Sequence, residues 1–373
     1  MVAAQRRAAQ EAGYDSRFVG TDLRDHWWLA DVEIPSRLVL APMAGVSVQA
    51  FRRQGRRFGA GLVCSEMVLV AGIQHANERT LGYLRVGPDE HPLAIQIFGS
   101  DPRAMADAAR MVEAAGADVV DINFGCPVKK VTKTGAGASL LDDPDHAVRI
   151  VGAVAEAVPL PVSVKMRRGV ENRSRACLEL GPRLVEAGAA SLTLHPRSAR
   201  QMYTGEADHS LTAELVSLVD VPVVASGDVT SRARARAVLA VTGAAAVMVG
   251  RAAQGNPWAL AEIMGDGEAS EPSREEVAAE LLVFMRETVR ELGEQRAFGF
   301  LKKFYGWYLG RGRFPRPLKQ ELVTLPTVEA VERRLLETAP GARFVLERLL
   351  RELPDPADEV LLDSLPISAY GGG

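Results

Sequence analysis

The stretch AAGADVVDINFGCP, residues 114–127, decides how this chain is expected to fold. Its Gly116-Ala117 pair follows a segment with helical spacing, and an apolar run over residues 119–123 follows the pair. Glycine suits the left-handed position after a helix end, and a short apolar run suits a parallel strand buried on both faces. The stretch therefore predicts a helix, a turn and a buried strand, with Cys126 just beyond the strand.

The same pattern recurs along the chain. Three further Gly-Ala pairs precede runs over residues 62–66, 192–195 and 246–251, and four more apolar runs cover residues 37–43, 92–98, 161–166 and 221–226. Helical segments between them supply the crossovers that parallel strands require. Eight such strands predict an α/β fold, a closed (β/α)8 TIM barrel. No GxGxxG motif follows the first strand, which disfavours an open dinucleotide-binding sheet.

The pattern changes beyond Trp258. Amphipathic helices without strands follow, interrupted at Pro315 and Pro317, which is typical of a separate all-helical domain. The expected organisation is an N-terminal extension over residues 1–30, the barrel over 31–265, a C-terminal helical domain over 270–353 and a tail over 354–373.

The composition is that of a globular protein. The chain has 373 residues, of which 47% are hydrophobic, and a formal net charge of −3. This charge gives no overall sign of nucleic-acid binding, so any such affinity must come from a local basic patch. The three cysteines form no CxxC pair, and no apolar run is long enough to span a bilayer. We expect a cytoplasmic protein without a disulfide framework, a metal site or an obligate protein partner.

Polar residues follow the apolar run of nearly every predicted strand. In a (β/α)8 barrel these positions converge at the carboxyl end, where active sites lie. A lysine, a histidine, an amide and a thiol in one place are difficult to explain by packing, so the pattern indicates an active site. Along the chain these residues include Glu66, Gln96, Asn123, Cys126, Lys165, His195, Asp228 and Arg251.

Several of these residues suit a flavin. Glycine turns over residues 226–228 and 249–251 provide backbone N–H groups of the kind that hold phosphate, with Arg251 beside them. The Gln96 amide suits an imide-like edge, and Lys165 suits negative charge on a reduced ring. His195 is expected over or beside the same ring. The set indicates a phosphorylated flavin cofactor.

Five segments carry a resemblance to a known family. The most specific is Asn-Phe-Gly-Cys-Pro at residues 123–127, and the others are residues 41–46 (APMAGV), 96–100 (QIFGS), 128–141 and 164–167 (VKMR). They resemble the bacterial tRNA-dihydrouridine synthase family over residues 37–336. The resemblance implies FMN as the cofactor, NADPH as the reductant, and reduction of the C5–C6 double bond of uridines in tRNA to dihydrouridine.

The resemblance also implies roles for individual residues. Cys126 is the implied catalytic acid, which gives a proton to C5 of the uracil after hydride passes from flavin N5 to C6. A thiol can supply such a proton at neutral pH. The implied cofactor-binding residues are Pro42, Met43 and Ala44 along the flavin, Gln96 and Lys165 at its pyrimidine edge, Asn123 and His195 beside the ring, and Ser226, Gly227, Asp228, Gly250 and Arg251 at the phosphate.

A basic segment in the expected helical domain is the candidate tRNA contact. Residues 295–320 contain seven basic residues and no acidic one, a local excess that phosphate binding requires. Their interleaved aromatic residues have helical spacing and are expected in the core. A group of four arginines at residues 52–57, on the first barrel helix, is a weaker RNA candidate. The residues predicted to bind RNA are Lys302, Lys303, Arg311 and Arg313.

Two alternatives remain open from the sequence. An FMN barrel acting on a free pyrimidine, like dihydroorotate or dihydropyrimidine oxidoreductases, explains the flavin site and the thiol but not the basic helical segment. An RNA-binding protein with an inactive barrel explains the basic segment but not the intact set of Gln96, Cys126, Lys165 and His195. Turnover of a free pyrimidine without RNA supports the first alternative, and a colourless protein unable to take up FMN supports the second.

Overall fold

A computed structural model describes residues 20–75, 78–265 and 271–353. An antiparallel hairpin, β1 (Trp27–Leu29) and β2 (Val32–Ile34), precedes a parallel sheet. The sheet consists of β3 (Leu38–Leu40), β4 (Leu62–Cys64), β5 (Val68–Leu69), β6 (Leu93–Phe98), β7 (Val119–Phe124), β8 (Val162–Arg167), β9 (Ser191–His195), β10 (Val223–Ser226) and β11 (Ala246–Val249).

The sheet closes on itself. Strand β3 pairs with β4 on one side and with β11 on the other, and β4 pairs with β6. The short β5 pairs with the carboxyl end of β6. Within the described ranges, eight strands therefore form a closed parallel barrel, which confirms the predicted (β/α)8 fold.

Helices follow the strands around the barrel. They are α1 (Gln49–Arg57), α2 (Val70–Gln74), α3 (Glu78–Leu81), α4 (Pro102–Ala114), α5 (Lys129–Thr132), α6 (Pro144–Ala157), α7 (Ala176–Glu186), α8 (Ser210–Leu218), α9 (Arg232–Thr242) and α10 (Trp258–Met264). Their ends follow local sequence rules. Asp101 caps α4 by accepting a 2.7 Å hydrogen bond from Ala104 N–H, with Pro102 in the first turn. After α4, Gly116 has a φ of +86°, the left-handed turn that its position predicts.

Alternate residues of the strands pack into two different cores. Leu38 and Leu40 belong to the large core between the strands and the surrounding helices. Val39, between them, belongs to a second core that also contains Trp27 and Ile34 of the hairpin. Since alternate side chains of a strand point to opposite faces, the hairpin packs against residues that face the barrel interior. The barrel core thus includes two strands that the sequence patterns did not reveal.

In the part of the chain that the structure describes, five helices follow the barrel. They are α11 (Arg274–Leu292), α12 (Glu294–Leu309), α13 (Arg316–Thr324), α14 (Val328–Thr338) and α15 (Ala342–Glu352). The aromatic side chains of α12 supply the core of this helical region, as predicted, with Phe304, Tyr305 and Tyr308 fully buried. None of the helices within the described ranges is both long and apolar enough to cross a membrane.

Helix α11 packs against barrel helix α1, and charged residues join the two. Arg57 donates hydrogen bonds of 3.0 and 2.7 Å to the Glu280 carboxylate, which also accepts one of 2.9 Å from Gln54. The Glu291 carboxylate accepts hydrogen bonds from the N–H groups of Gln49 and Ala50 at the start of α1, and burial raises its pKa to about 7. This carboxylate caps α1 in place of Val48, which has no capping side chain.

The arginines of α1 are therefore structural. Arg52 is 2% exposed and donates a 2.6 Å hydrogen bond to Glu90, while Arg53 is 1% exposed and pairs with Asp89 at 2.7 Å. Arg56 donates to the carbonyl of Gly61 at 2.7 Å. The weaker RNA candidate in the sequence is wrong for this group, because burial and internal partners occupy its guanidinium groups. The predicted N-terminal extension lies mostly, and the predicted tail wholly, outside the described residues.

Candidate active site at the barrel mouth

The carboxyl ends of the barrel strands form a rim, here called the barrel mouth. Strand register places Gln96 of β6 beside Asp121 of β7, and Asn123 of β7 beside Lys165 of β8. His195 is the last residue of β9. The structure thus brings together the amides, the lysine and the histidine that lie far apart in the sequence.

A buried hydrogen-bond network orients the two amides. Gln96 Nε2 donates to Asp121 Oδ2 at 2.5 Å, and Asn123 Nδ2 donates to Gln96 Oε1 at 2.7 Å. Ser163 Oγ donates to Asp121 Oδ1 at 2.6 Å. Burial raises the pKa of Asp121 to about 6, with the hydrogen bonds from Ser163 and Gln96 opposing the rise. Each polar atom of Gln96 keeps one unused bonding direction for a ligand.

Lys165 stands outside the hydrogen-bond network of the described residues. Its half-buried ammonium group makes no hydrogen bond or ion pair with any residue that the structure describes. Burial, together with the nearby Arg167 cation, lowers its pKa to about 8, although Asp121 acts in the opposite direction. A desolvated cation without a carboxylate partner favours an electron-rich group brought by a ligand.

The Cys126 backbone is held from two sides. Asn123 Oδ1 accepts hydrogen bonds from the N–H groups of Gly125 at 3.1 Å and Cys126 at 2.9 Å. Arg167 Nε donates to the Gly125 carbonyl at 2.9 Å. The half-exposed Cys126 thiol forms no hydrogen bond with the described part of the chain. The loop thus presents a fixed thiol that is available to a substrate.

His195 is a neutral ring at this site. Burial, together with the cations of Lys165 and Arg167, lowers its pKa to about 2. Its Nε2 lies 3.3 Å from Arg197 Nη1. A Cβ added to Gly227 would lie 2.9 Å from His195 Cδ2, and Gly227 has a φ of +114°. Only glycine fits at this approach of the β10 turn to the histidine.

The Asp228 carboxylate faces protein groups. Arg197 Nη2 donates to both of its oxygens, at 2.8 and 2.7 Å, and Ala207 N–H donates to it at 2.8 Å. Burial alone would raise the pKa of Asp228, but these hydrogen bonds lower it below its usual value. Arg251 is 3.9 Å away, mostly exposed, and lies over the Tyr203 ring at 4.7 Å. At the two glycine turns, residues 226–228 and 249–251, the Arg251 guanidinium is therefore the positive group that is exposed to solvent.

The loop after β3 adjoins the last turn of the barrel. A Cβ added to Gly250 would lie 3.6 Å from Met43 Sδ, and Gln254 Nε2 approaches the same sulfur at 3.4 Å. Gly45 N–H donates to Glu66 at 2.5 Å, and Lys303 of α12 donates to the Gly45 carbonyl. This contact joins the helical region directly to residues 42–45 of the barrel mouth.

The predicted RNA-binding residues differ in their surroundings. Arg311 pairs with Glu262 and Arg313 with Glu271, so their charges are compensated by residues outside the basic segment. Lys302 lies 4.4 Å from the Phe298 ring centroid. Four of the seven basic residues have no carboxylate partner among the described residues: Arg296, Lys302, Arg316 and Lys319.

Sequence reasoning missed three residues at this site. Asp121 was read only as part of an apolar strand, although a carboxylate inside a buried run is itself a signal of a polar network. Arg167 and Arg197 were not assigned roles. Arg167 ends β8 and Arg197 follows the end of β9. Both donate to backbone carbonyls at the mouth, Arg197 for instance to Thr204 at 3.1 Å, and no sequence pattern identifies such partners.

The fold and the site define an enzyme of the (β/α)8-barrel class, with its reactive groups at the carboxyl ends of the strands. A family model described as dihydrouridine synthase matches residues 39–341. The chain therefore belongs to the dihydrouridine synthase family. Membership in this family makes it an oxidoreductase and implies a flavin cofactor with NAD(P)H as the reductant.

Curated relatives support the assignment. The chain is 39% identical to tRNA-dihydrouridine synthase B of Pseudomonas aeruginosa, over 74% of this chain and 84% of that protein. It is 38% identical to a probable tRNA-dihydrouridine synthase of Rhodobacter capsulatus, over 79% and 92% of the two chains. The solved structure of histamine dehydrogenase from Rhizobium sp. 4-9 shares the fold, with a TM-score of 0.52 and 13% identity over 73% of this chain and 51% of that one.

Proposed function

We propose that this protein is a tRNA-dihydrouridine synthase that uses FMN and NADPH to reduce the C5–C6 double bond of specific uridines in tRNA. The observation that carries the proposal is the Lys165 ammonium, which has no hydrogen-bond partner among the described residues, next to Asn123 of the oriented amide pair in a chain of this family. The barrel, residues 31–265, is the FMN-binding catalytic domain, and residues 270–353 form the tRNA-binding domain. Both substrates are cytoplasmic, and so is the reaction.

The residues at the mouth fit FMN. Gln96 offers one free donor and one free acceptor direction, which suit the N–H and carbonyl groups of a flavin pyrimidine edge. Lys165 offers a cation to the same edge. Ser226 ends β10, a Cβ at Gly227 would come within 2.9 Å of His195 and Ala207, Gly250 follows the end of β11, and Arg251 is exposed beside them. These turns suit the phosphate, with Asp228 acting through Arg197 rather than touching the anion.

The remaining residues complete the cofactor site. Pro42, Met43 and Ala44 lie in the loop beside Gly250 and line the flavin along one side. Asn123 and His195 lie beside the ring, and the neutral His195 can donate or accept a hydrogen bond without adding charge.

The chain's own residues prepare the reduction. FMN, when bound, supplies the hydride that reaches C6 of the uracil. Cys126 then gives its proton to C5, and the hydrogen bond from its backbone N–H to Asn123 holds the loop that carries the thiol. Lys165 stabilises negative charge close to this site. The uridine must leave the RNA stack to reach these groups, so it is turned out of the tRNA into the mouth.

The helical region binds the tRNA backbone. Among the predicted contacts, Lys302 has no carboxylate partner and is the strongest, while Arg311 and Arg313 must exchange Glu262 and Glu271 for phosphate. Lys303 lies over the rings of Phe300 and Phe304 on α12 and also contacts the barrel loop. Its charge lies between the two regions that must cooperate on the tRNA.

Two measurements test the function. Purified protein should be yellow, and with NADPH it should form dihydrouridine in tRNA taken from cells that lack the protein. Mapping that tRNA against wild-type tRNA identifies the uridine that is modified. Reduction of free uracil or oxidation of dihydroorotate without RNA, or a protein that takes up no FMN, would contradict the proposal.

A further inference from the structure

Asp121 is the buried carboxylate of the mouth that the proposed reaction does not use. Its side chain is 3% exposed, and its two oxygens accept from Ser163 Oγ and Gln96 Nε2. It lies on β7 two residues before Asn123, so both side chains project from the same face of the strand. Asp121 therefore supports the amide pair from beneath the rim.

The hydrogen bonds run in one direction from Asp121 to the cysteine loop. An ionised carboxylate only accepts, so the Gln96 amide must turn its NH2 group toward Asp121 and its oxygen toward Asn123. Asn123 must then turn its own NH2 group toward Gln96, which leaves its oxygen for the N–H groups of Gly125 and Cys126. Each amide orientation follows from the one before.

The opposite orientation would conflict at every link. With the Gln96 oxygen toward Asp121, two acceptors would face each other, and two NH2 groups would meet between Gln96 and Asn123. Flipping Asn123 to relieve that contact would aim its NH2 group at the N–H groups of Gly125 and Cys126. Because the side chains of Asp121, Gln96 and Asn123 are buried, each mismatch among them would leave a polar group unsatisfied.

We propose that Asp121 is a positioning residue that sets the donor and acceptor pattern offered to the flavin by Gln96 and, through Asn123, the placement of Cys126. The inference rests on the proposed function, because it specifies how that site is oriented. Asp121 itself touches neither cofactor nor substrate.

The test compares three variants of the full-length protein. Asp121→Val removes both acceptors while keeping a residue suited to a strand. Asp121→Asn keeps one acceptor for Gln96 and turns its NH2 group toward Ser163 Oγ, which can accept. Asp118→Asn is the matched control, since Asp118 lies at the opposite end of the barrel, where it accepts from Leu93 N–H at 2.6 Å.

In Asp121→Val we expect the Kd for FMN to rise about tenfold and the visible flavin bands to shift, because Gln96 is no longer held in one orientation. Dihydrouridine formation should fall more than NADPH-driven flavin reduction, because the network continues to Cys126. Asp121→Asn should recover most of the FMN affinity and the wild-type bands. Asp118→Asn should match wild type in FMN affinity and spectrum, even if it melts at a lower temperature.

Three results would overturn the inference. They are a valine variant with wild-type spectrum and Kd, an asparagine variant as impaired as the valine variant, or equal losses in both half-reactions. If the valine variant does not fold, Asp121→Ser carries the same expectations, because its hydroxyl is one atom too short to replace the carboxylate. A wild-type protein that binds no FMN would instead contradict the proposed function and is distinguishable from all of these.

Discussion

The barrel mouth and the interface between α1 and α11 both concentrate charged side chains, and they differ in how those charges are paired. At the interface, Arg57 and Glu280 meet through two hydrogen bonds, and Arg53 lies between Asp89 and Glu287. At the mouth, Lys165 and the Cys126 thiol have no hydrogen-bond partner within the described ranges. Paired charges hold two parts of the chain together, whereas an unpaired buried cation is favourable only when a ligand completes it.

The largest effect is expected at the mouth, from Cys126→Ala. Loss of the proton donor should reduce dihydrouridine formation by roughly 10²–10⁴-fold. FMN content and NADPH-driven flavin reduction should remain near wild type, because the thiol forms no hydrogen bond within the described chain. Stopped-flow measurement of each half-reaction separates the two effects. Full dihydrouridine formation in this variant would remove the role of Cys126 as acid.

The second-largest effect is expected from substitution of Lys165. Lys165→Met should slow flavin reduction by roughly 10²-fold, as expected when one preorganised electrostatic group is removed. The wild-type Lys165 pKa of about 8 means that the ammonium is charged below that pH and neutral above it. FMN affinity of the wild-type apoprotein should therefore fall as pH rises through about 8, while the methionine variant shows no such fall. A wild-type affinity that increases across this range would contradict the assignment.

Substitutions at the interface between α1 and α11 should change the stability of the protein rather than its catalytic activity. Arg57→Met leaves the 4% exposed Glu280 with Gln54 as its remaining donor among the described residues, and we expect a loss of about 2 kcal/mol in the free energy of unfolding. Arg286→Met breaks an exposed pair with Glu332 and should cost about 0.5 kcal/mol or less. Urea denaturation of both variants gives the comparison. Equal losses of unfolding free energy in the two variants would mean that burial does not make the Arg57–Glu280 pair more stabilising than the exposed Arg286–Glu332 pair.

The smallest effect is expected on the helical surface. Lys302→Glu should weaken tRNA binding several-fold and lower the slope of log Kd against log salt by about one unit for each phosphate that the variant no longer neutralises. Arg348→Glu makes the same charge change on α15 and should leave the slope unchanged. Binding at several salt concentrations measures both. Identical slopes for Lys302→Glu and wild type would place the RNA-binding surface elsewhere.

The difference between the barrel mouth and the interface of α1 and α11 also explains which features could be predicted from the sequence. All eight barrel strands were predicted, because buried parallel strands leave apolar runs and their helices end in recognisable glycine turns. The β1–β2 hairpin was missed, since three-residue strands are too short to show alternation. Lys165, Gln96 and Cys126 were found because strand ends converge in a barrel.

Partner choice could not be read from the sequence. The sequence does not distinguish the arginines of α1 from those of the basic segment. In the structure, however, Arg52 is buried against Glu90, while Arg316 is exposed. Their partners come from residues far along the chain, as with Arg57 and Glu280, 223 positions apart. Asp121 was overlooked for the same reason, since its importance depends on amides that only the closed sheet brings to it.

The hairpin at the amino-terminal end of the barrel also affects the order of events in catalysis. Trp27, Leu29 and Ile34 pack with residues that face the barrel interior, so within the described residues they cover the end of the barrel opposite the mouth. Under the proposed function, the nicotinamide and the flipped uridine would both enter from the mouth and would occupy the same space at different times. Initial rates measured against both substrates should give parallel double-reciprocal lines, the kinetic signature of a reductant that departs before the tRNA arrives.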